Sequence, residues 1–153
     1  MNRHDGQARA LFERGYNCAQ AVFAAFCELT GLPAEAAVKM AAPFGGGMGR
    51  LREVCGAVSG MLLAAGCLYG YTDPADEQGK AAHYALVQSL VLAFRQAHGT
   101  LQCSELLKRP PDIGRPVADG RDAAFYAVRP CARLVTHAAQ LLDEYIAEHP
   151  PQP

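Results

Sequence analysis

The chain has 153 residues, half of them apolar, with 14 basic and 15 acidic side chains and a formal charge of −1. That length carries one ordinary domain with a substantial core, and the composition excludes a disordered chain. Without basic runs or aromatic–basic interleaving there is no electrostatic footprint for nucleic acid, so none is expected as a partner.

The opening residues Met1-Asn2-Arg3-His4-Asp5-Gly6 lack the apolar stretch of a secretory signal, so a cytoplasmic protein is expected. Arg9 to Arg14 reads as a short amphipathic helix that Gly15 ends. Asn17 caps a second helix, Cys18 to Leu29, with Ala21, Val22, Ala25, Phe26 and Leu29 on one face. Gly31 stops it. A third runs from Pro33 to Ala42, with Glu35 in its first turn, and Pro43 closes it. The glycine turn Gly45-Gly46-Gly47-Met48-Gly49 then feeds a fourth helix, about Leu51 to Tyr71, apolar on nearly every side and expected to be buried all round.

This helix raises the question of a membrane, because Val54 through Thr72 carries no charge. It is diluted by four glycines, a serine and two tyrosines, and nothing else in the chain resembles a span. A buried central helix is expected instead. Its pairs Gly56/Gly60 and Gly66/Gly70 have the spacing of close helix contacts and could form a homodimer seam.

A long fifth helix is expected from Pro74 to His98, burying Ala81, Tyr84, Ala85, Leu86, Val87, Leu90, Val91 and Phe94. Cys103 to Lys108 reads as a short helix. Pro110, Pro111, Gly114, Pro116 and Gly120 make 109–129 a long loop, which is functional or mobile. The last helix spans Pro130 to Ala147. Residues 1–7 and 149–153 are expected to be disordered. No strand pattern is convincing, so the fold expected is all-α: one domain, 1–153, a helical bundle around a buried glycine-rich central helix.

Six cysteines in a reducing compartment suggest metal or redox chemistry before structural disulfides. Cys18, Cys55, Cys103 and Cys131 fall at or near helix starts, where the dipole favours the thiolate, both nucleophile and metal ligand. Cys27 would lie about 13 Å along the axis from Cys18, and Cys67 about 18 Å from Cys55. Neither can share a site with its helix partner, and both are expected to be small apolar core residues.

In these residues the chain resembles the redox-active family C_GCAxxG_C_C. The resemblance is carried by Cys18 in Gly15-Tyr16-Asn17-Cys18-Ala19-Gln20, by Cys55-Gly56-Ala57-Val58-Ser59-Gly60, by Cys103 in Cys103-Ser104-Glu105-Leu106-Leu107, and by Cys131. It covers about Ala8 to Glu148. It implies a small helical protein with cysteine redox chemistry and an unnamed redox partner. A four-cysteine relative fused to a haem protein binds a [2Fe–2S] cluster, which raises the expectation of a cluster here.

Three chemistries stand open. In the first, Cys18, Cys55, Cys103 and Cys131 ligate a [2Fe–2S] or [4Fe–4S] cluster for electron transfer. Amides of Gly45, Gly46, Gly47 and Gly49 would then donate to its sulfurs, with Arg50 and Arg52 adding positive charge. In the second, two of the four act as a thiol/disulfide oxidoreductase without metal, although no C-x-x-C pair exists. The third is a non-catalytic interaction module with inert cysteines. Four-thiolate zinc lacks its usual C-x₂₋₄-C knuckles. The glycine turn is neither a P-loop nor a dinucleotide fingerprint, because no strand precedes it and no Lys-Ser/Thr follows. The histidines, Glu53 and Tyr16 read as surface or packing residues.

Overall fold

The computed structural model describes residues 4–152. In chain order the helices are α1 (His4–Glu13), α2 (Cys18–Ala25), α3 (Cys27–Thr30), α4 (Ala34–Ala41), the largely left-handed turn α5 (Gly45–Met48), α6 (Gly56–Tyr69), α7 (Glu77–His98), α8 (Cys103–Leu107), α9 (Ala123–Val128) and α10 (Cys131–Glu148). Among the described residues extended backbone pairs at one antiparallel bridge, Val54 to Gln102. The all-α expectation holds, and no described helix is long and apolar enough to cross a membrane.

The central packing is α1, α2, α6 and α10, with α4 on α2, and α7 against α6 and α10. Phe23, Phe26, Phe94, Met61 and Leu142 are the largest fully buried side chains. The expected start of α1 at Arg9 is corrected to His4. Ala8 and Phe12 are buried with His4, whose backbone N–H donates to Asp143 Oδ2 at 2.8 Å while its Nδ1 meets Asp143 Oδ1 at 2.5 Å. This tie to α10 holds residues 4–7 in the first helical turn; the disorder expected for residues 1–3 lies outside the described residues.

The second expected helix is two. Phe26, at φ −100° and ψ 10°, breaks it, and α3 is one turn with no buried residue. The Asn17 cap is present in full: its side chain accepts from Gln20 N, and Gln20 Oε1 accepts from Asn17 N.

The central helix does not begin at Leu51. Gly46, Gly47, Met48, Gly49, Arg50 and Arg52 all have positive φ, and a right-handed helix cannot pass through left-handed residues. The chain instead folds back on itself. Arg52 N donates to Gly46 O, Glu53 N to Gly47 O, and Cys55 N to Leu101 O at 2.8 Å. Helix α6 therefore starts at Gly56, with Cys55 as its cap.

Helices α2 and α6 lie side by side and run in the same direction. A Cβ on Gly60 would stand 2.5 Å from Ala19 O, and one on Gly56 would stand 2.5 Å from Cys18 Sγ. The burial expected along α7 is only partly realised. Leu86, Leu90 and Phe94 are buried, but Ala81, Ala85 and Tyr84 are exposed. The reading of 109–129 as unbroken loop is corrected by α9, capped by Asp122, whose side chain accepts from Phe125 N.

Candidate functional site

Four helix starts meet at one end of the bundle. Cys18 opens α2, Cys55 caps α6, Cys103 opens α8 and Cys131 opens α10. All four line one cavity of about 360 Å³. They are electrostatic neighbours: Cys18 and Cys103 both act on Cys55 and on Cys131, and Cys18 acts on Cys103.

Local chemistry explains why these segments close here. Cys103 N donates to Glu53 O at 2.6 Å and Ser104 N to Arg52 O at 3.1 Å. The first amides of α8 thus find acceptors on the segment that leads into Cys55, and the two cysteines are fixed beside each other. Gly47 is buried beneath this junction with φ +70°, where a Cβ would stand 2.7 Å from Cys103 Cβ and from Glu53 N. Only glycine fits there. Gly45, Gly46, Gly49 and Arg50 line the cavity; Gly47 shapes the turn from behind it.

Cations outnumber carboxylates around the cavity. Arg50, Arg52, Arg121 and Arg129 line it against a single carboxylate, Asp119. Arg52 is 3 % exposed. Its Nη1 approaches Cys103 Sγ at 3.9 Å, and its Nη2 donates to Asp112 Oδ2 at 2.8 Å. Arg50 Nη2 lies 3.0 Å from the same carboxylate oxygen. Asp119 gathers Arg109, at 3.0 Å, and Arg129. Arg121 donates to Phe12 O and Tyr16 O and lies over the Phe12 ring at 4.3 Å. The loop at 109–129 is therefore a strap, held over the cysteines by ion pairs and cation–π contacts. The guanidinium of Arg52, followed by the charge of Arg50, holds the Asp112 carboxyl below its ordinary value.

Burial reverses the thiolate expectation. Cys55 and Cys103 are 5 % and 6 % exposed. Burial pushes the Cys55 thiol well up, and neighbouring Cys18 adds to the shift; the amides of Ala57 and Val58, at the helix start, oppose it without winning. Cys103 is raised by burial and eased by Arg52. Cys131 is pushed up to about 12, by burial first and by Cys18 next. The helix-start amides favour the thiolate as expected, but desolvation outweighs them.

A pH dependence follows for the metal-free, reduced protein. The folded state keeps these protons over a range where the unfolded chain, with thiols near about 8.5, has released them. Stability is retained below that value and falls as pH rises toward the folded values. Urea midpoints measured from pH 7 to 11 should decline above about pH 9, and Cys131→Ser should flatten the decline. An unchanged slope in that variant would contradict the burial of its thiol proton.

Cys27 and Cys67 stay out of the cavity as expected, but neither is a core residue. Cys67 is exposed and Cys27 half-buried. Helix α7 leaves part of α6 open, which an all-apolar helix gives no means of reading. Glu53 takes a hydrogen bond from Gln102 rather than facing a cysteine. His137 meets His98 at 2.8 Å. Sequence reasoning missed Asp112, Asp119, Arg121 and Arg129; their one signal was arginines and aspartates on both sides of the prolines in 109–129.

A family model described as "Putative redox-active protein (C_GCAxxG_C_C)" matches residues 16–145. No curated protein and no solved structure matches the chain.

Proposed function

The chain belongs to the C_GCAxxG_C_C family of redox-active proteins, and from that premise we propose that Cys18, Cys55, Cys103 and Cys131 together hold an iron–sulfur cluster for electron transfer. The observation that carries the reading is the convergence of four thiols, from segments far apart in the chain, on one arginine-lined cavity. Four cysteines are the standard ligand set for such clusters. A thiolate-ligated cluster is anionic, and four guanidinium groups against the two carboxylates of Asp112 and Asp119 leave a positive surplus that suits an anion.

Two further observations bear on the fit. Arg50 Nε and Arg52 Nε are buried without a hydrogen-bond partner, and buried donors of this kind are costly unless something accepts from them. Among the described residues no three His, Cys, Asp or Glu side chains are set to hold a metal ion. A single zinc would need its sulfurs within about 4 Å of one another, given bonds of about 2.3 Å. A [4Fe–4S] cluster, with one thiolate on each iron, spreads its ligands wider. Thiol/disulfide exchange would use two of the four cysteines and leave the other two, and the arginines, without a role.

When bound, the cluster would supply reversible one-electron transfer. The chain's own part is to ligate it, to exclude water with the strap, and to set the potential. Arg52 beside Cys103 and the amides of Ala57 and Val58 on Cys55 are donors to ligating sulfurs, which is how a protein raises such potentials.

The test is anaerobic reconstitution with ferrous iron and sulfide. The protein should turn brown with visible absorption and retain both elements through gel filtration. Serine at any one of the four positions should lower retained iron, while Cys27→Ser and Cys67→Ser should not. A folded protein that stays colourless, or that keeps all its iron when Cys103 and Cys131 are both serine, overturns the reading.

A further inference from the structure

The two cysteines outside the cavity are related by the same helix packing that builds it. Helices α2 and α6 run in parallel, with Gly60 set against Ala19 and Val22. From Gly60, seven residues along α6 lead to Cys67, two turns or about 10.5 Å farther on and on the same face. From Ala19, six residues of α2 lead to Ala25, about 9 Å farther in the same direction, and Cys27 follows two residues on, past the break at Phe26. The register therefore brings Cys27 and Cys67 side by side, at the end of the helix pair opposite the cavity. Helix α3, which Cys27 opens, packs on α6, and the Cys27 thiol lies within electrostatic reach of Cys67.

This pair differs from the other four cysteines in access. Cys67 is exposed and Cys27 half-buried, and neither lines the cavity. A bond between them needs Cα atoms within about 7 Å. Helix α3 is a single turn with no buried residue, set off from α2 by the break at Phe26, so a small adjustment there disturbs little of the core.

We propose that Cys27 and Cys67 form a second redox site, a surface dithiol that closes reversibly to a disulfide by exchange with a low-molecular-weight disulfide such as oxidised glutathione. The thiolate of exposed Cys67 attacks one sulfur of oxidised glutathione, which leaves a mixed disulfide on Cys67 and releases one glutathione thiolate. The Cys27 thiolate then attacks Cys67 Sγ and displaces the second glutathione thiolate. The two protons lost by the protein thiols end on the two glutathione molecules. Two protein thiols are oxidised and one glutathione disulfide is reduced, so electrons balance without a metal.

The experiment uses the full chain with its thiols reduced, equilibrated with mixtures of oxidised and reduced glutathione under nitrogen, then blocked, digested with trypsin and sequenced by fragment-ion mass spectrometry. Fragment ions are needed because Cys18 and Cys27 share one tryptic peptide, and Cys55 and Cys67 share another. The expected product is a monomer that has lost two of its six thiols, joined from Cys27 to Cys67 and reopened by dithiothreitol. Cys27→Ser should stop at a glutathione adduct on Cys67, and Cys18→Ser should leave the bond unchanged. A stable glutathione adduct on Cys67 of the unsubstituted chain overturns the proposal. So does a Cys67–Cys67 bond between two chains, or oxidation confined to the cavity cysteines. None of these readouts involves iron, so the outcome is independent of the cluster test.

Discussion

Gly60→Ala should destabilise the protein by about 2–3 kcal/mol, while Gly66→Ala, on the same helix, should stabilise it by up to about 1 kcal/mol. In an isolated helix both changes would help, because alanine is the better helix former. The difference lies in what a methyl group meets. At Gly60 it would stand 2.5 Å from Ala19 O, 3.1 Å from Ala19 Cα and 3.1 Å from Val22 Cβ. The nearest of these atoms is backbone, so α2 and α6 must separate. At Gly66 nothing lies within 4 Å. The separation would carry to the cavity, because Cys18 and Cys55 sit at the adjoining ends of the same two helices. Urea denaturation with an unchanged slope reads the stability directly. A Gly60→Ala variant as stable as the unsubstituted chain would contradict the parallel packing on which the register of both cysteine pairs depends.

Features of the fold that rest on one or two turns of sequence were legible. Asn17 marks the start of α2, and the proline before Cys131 marks the start of α10. Cysteines placed beside such signals could be read as lying at helix ends. Features that depend on distant partners were not legible. Residues 51–55 read as helix because their apolar and charged side chains suit one. Bonds to Gly46 O, Gly47 O and Leu101 O hold them in another path. Local propensity is a weak prior against several tertiary hydrogen bonds.

The thiol chemistry divides in the same way. A helix start is visible in sequence, and so is its preference for a thiolate. The depth of burial is not, and burial decides the balance at Cys55 and Cys131. The exposure of Cys67 was hidden for a related reason. Gly66, Cys67 and Leu68 have no polar neighbour to mark an outward face, so only the placement of α7 decides which of them meets solvent. The strap was read as broken by prolines, but its function as a cover depends on Asp112 and Asp119 reaching Arg50 and Arg52 outside it.

Arg52→Met should loosen the strap and cost about 3 kcal/mol, the lower end of what removing one member of a buried ion pair costs. Methionine keeps much of the aliphatic stem, so the loss falls on charge and hydrogen bonding. Arg52 is the innermost cation of the cavity, at 3 % exposure, and joins Asp112 on the strap to Cys103 in the site. Arg50 still reaches Asp112 at 3.0 Å, which keeps the cost from being larger. The readout particular to the strap is trypsin cleavage between Arg121 and Asp122, which should accelerate before global unfolding does. Arg52→Lys should fall between, since an ammonium keeps the charge but not the fork that spans carboxylate and sulfur. Combining Arg52→Met with Asp112→Asn should cost less than the two singles together, because they share one contact. In reconstituted protein the reduction potential should become more negative, as a donor to a ligating sulfur is removed. If Arg52→Met lowers the urea midpoint but leaves cleavage at the strap unchanged, Arg52 serves only core packing. The strap is then anchored by Arg50, which reaches Asp112 at 3.0 Å and Asp119 at 3.6 Å.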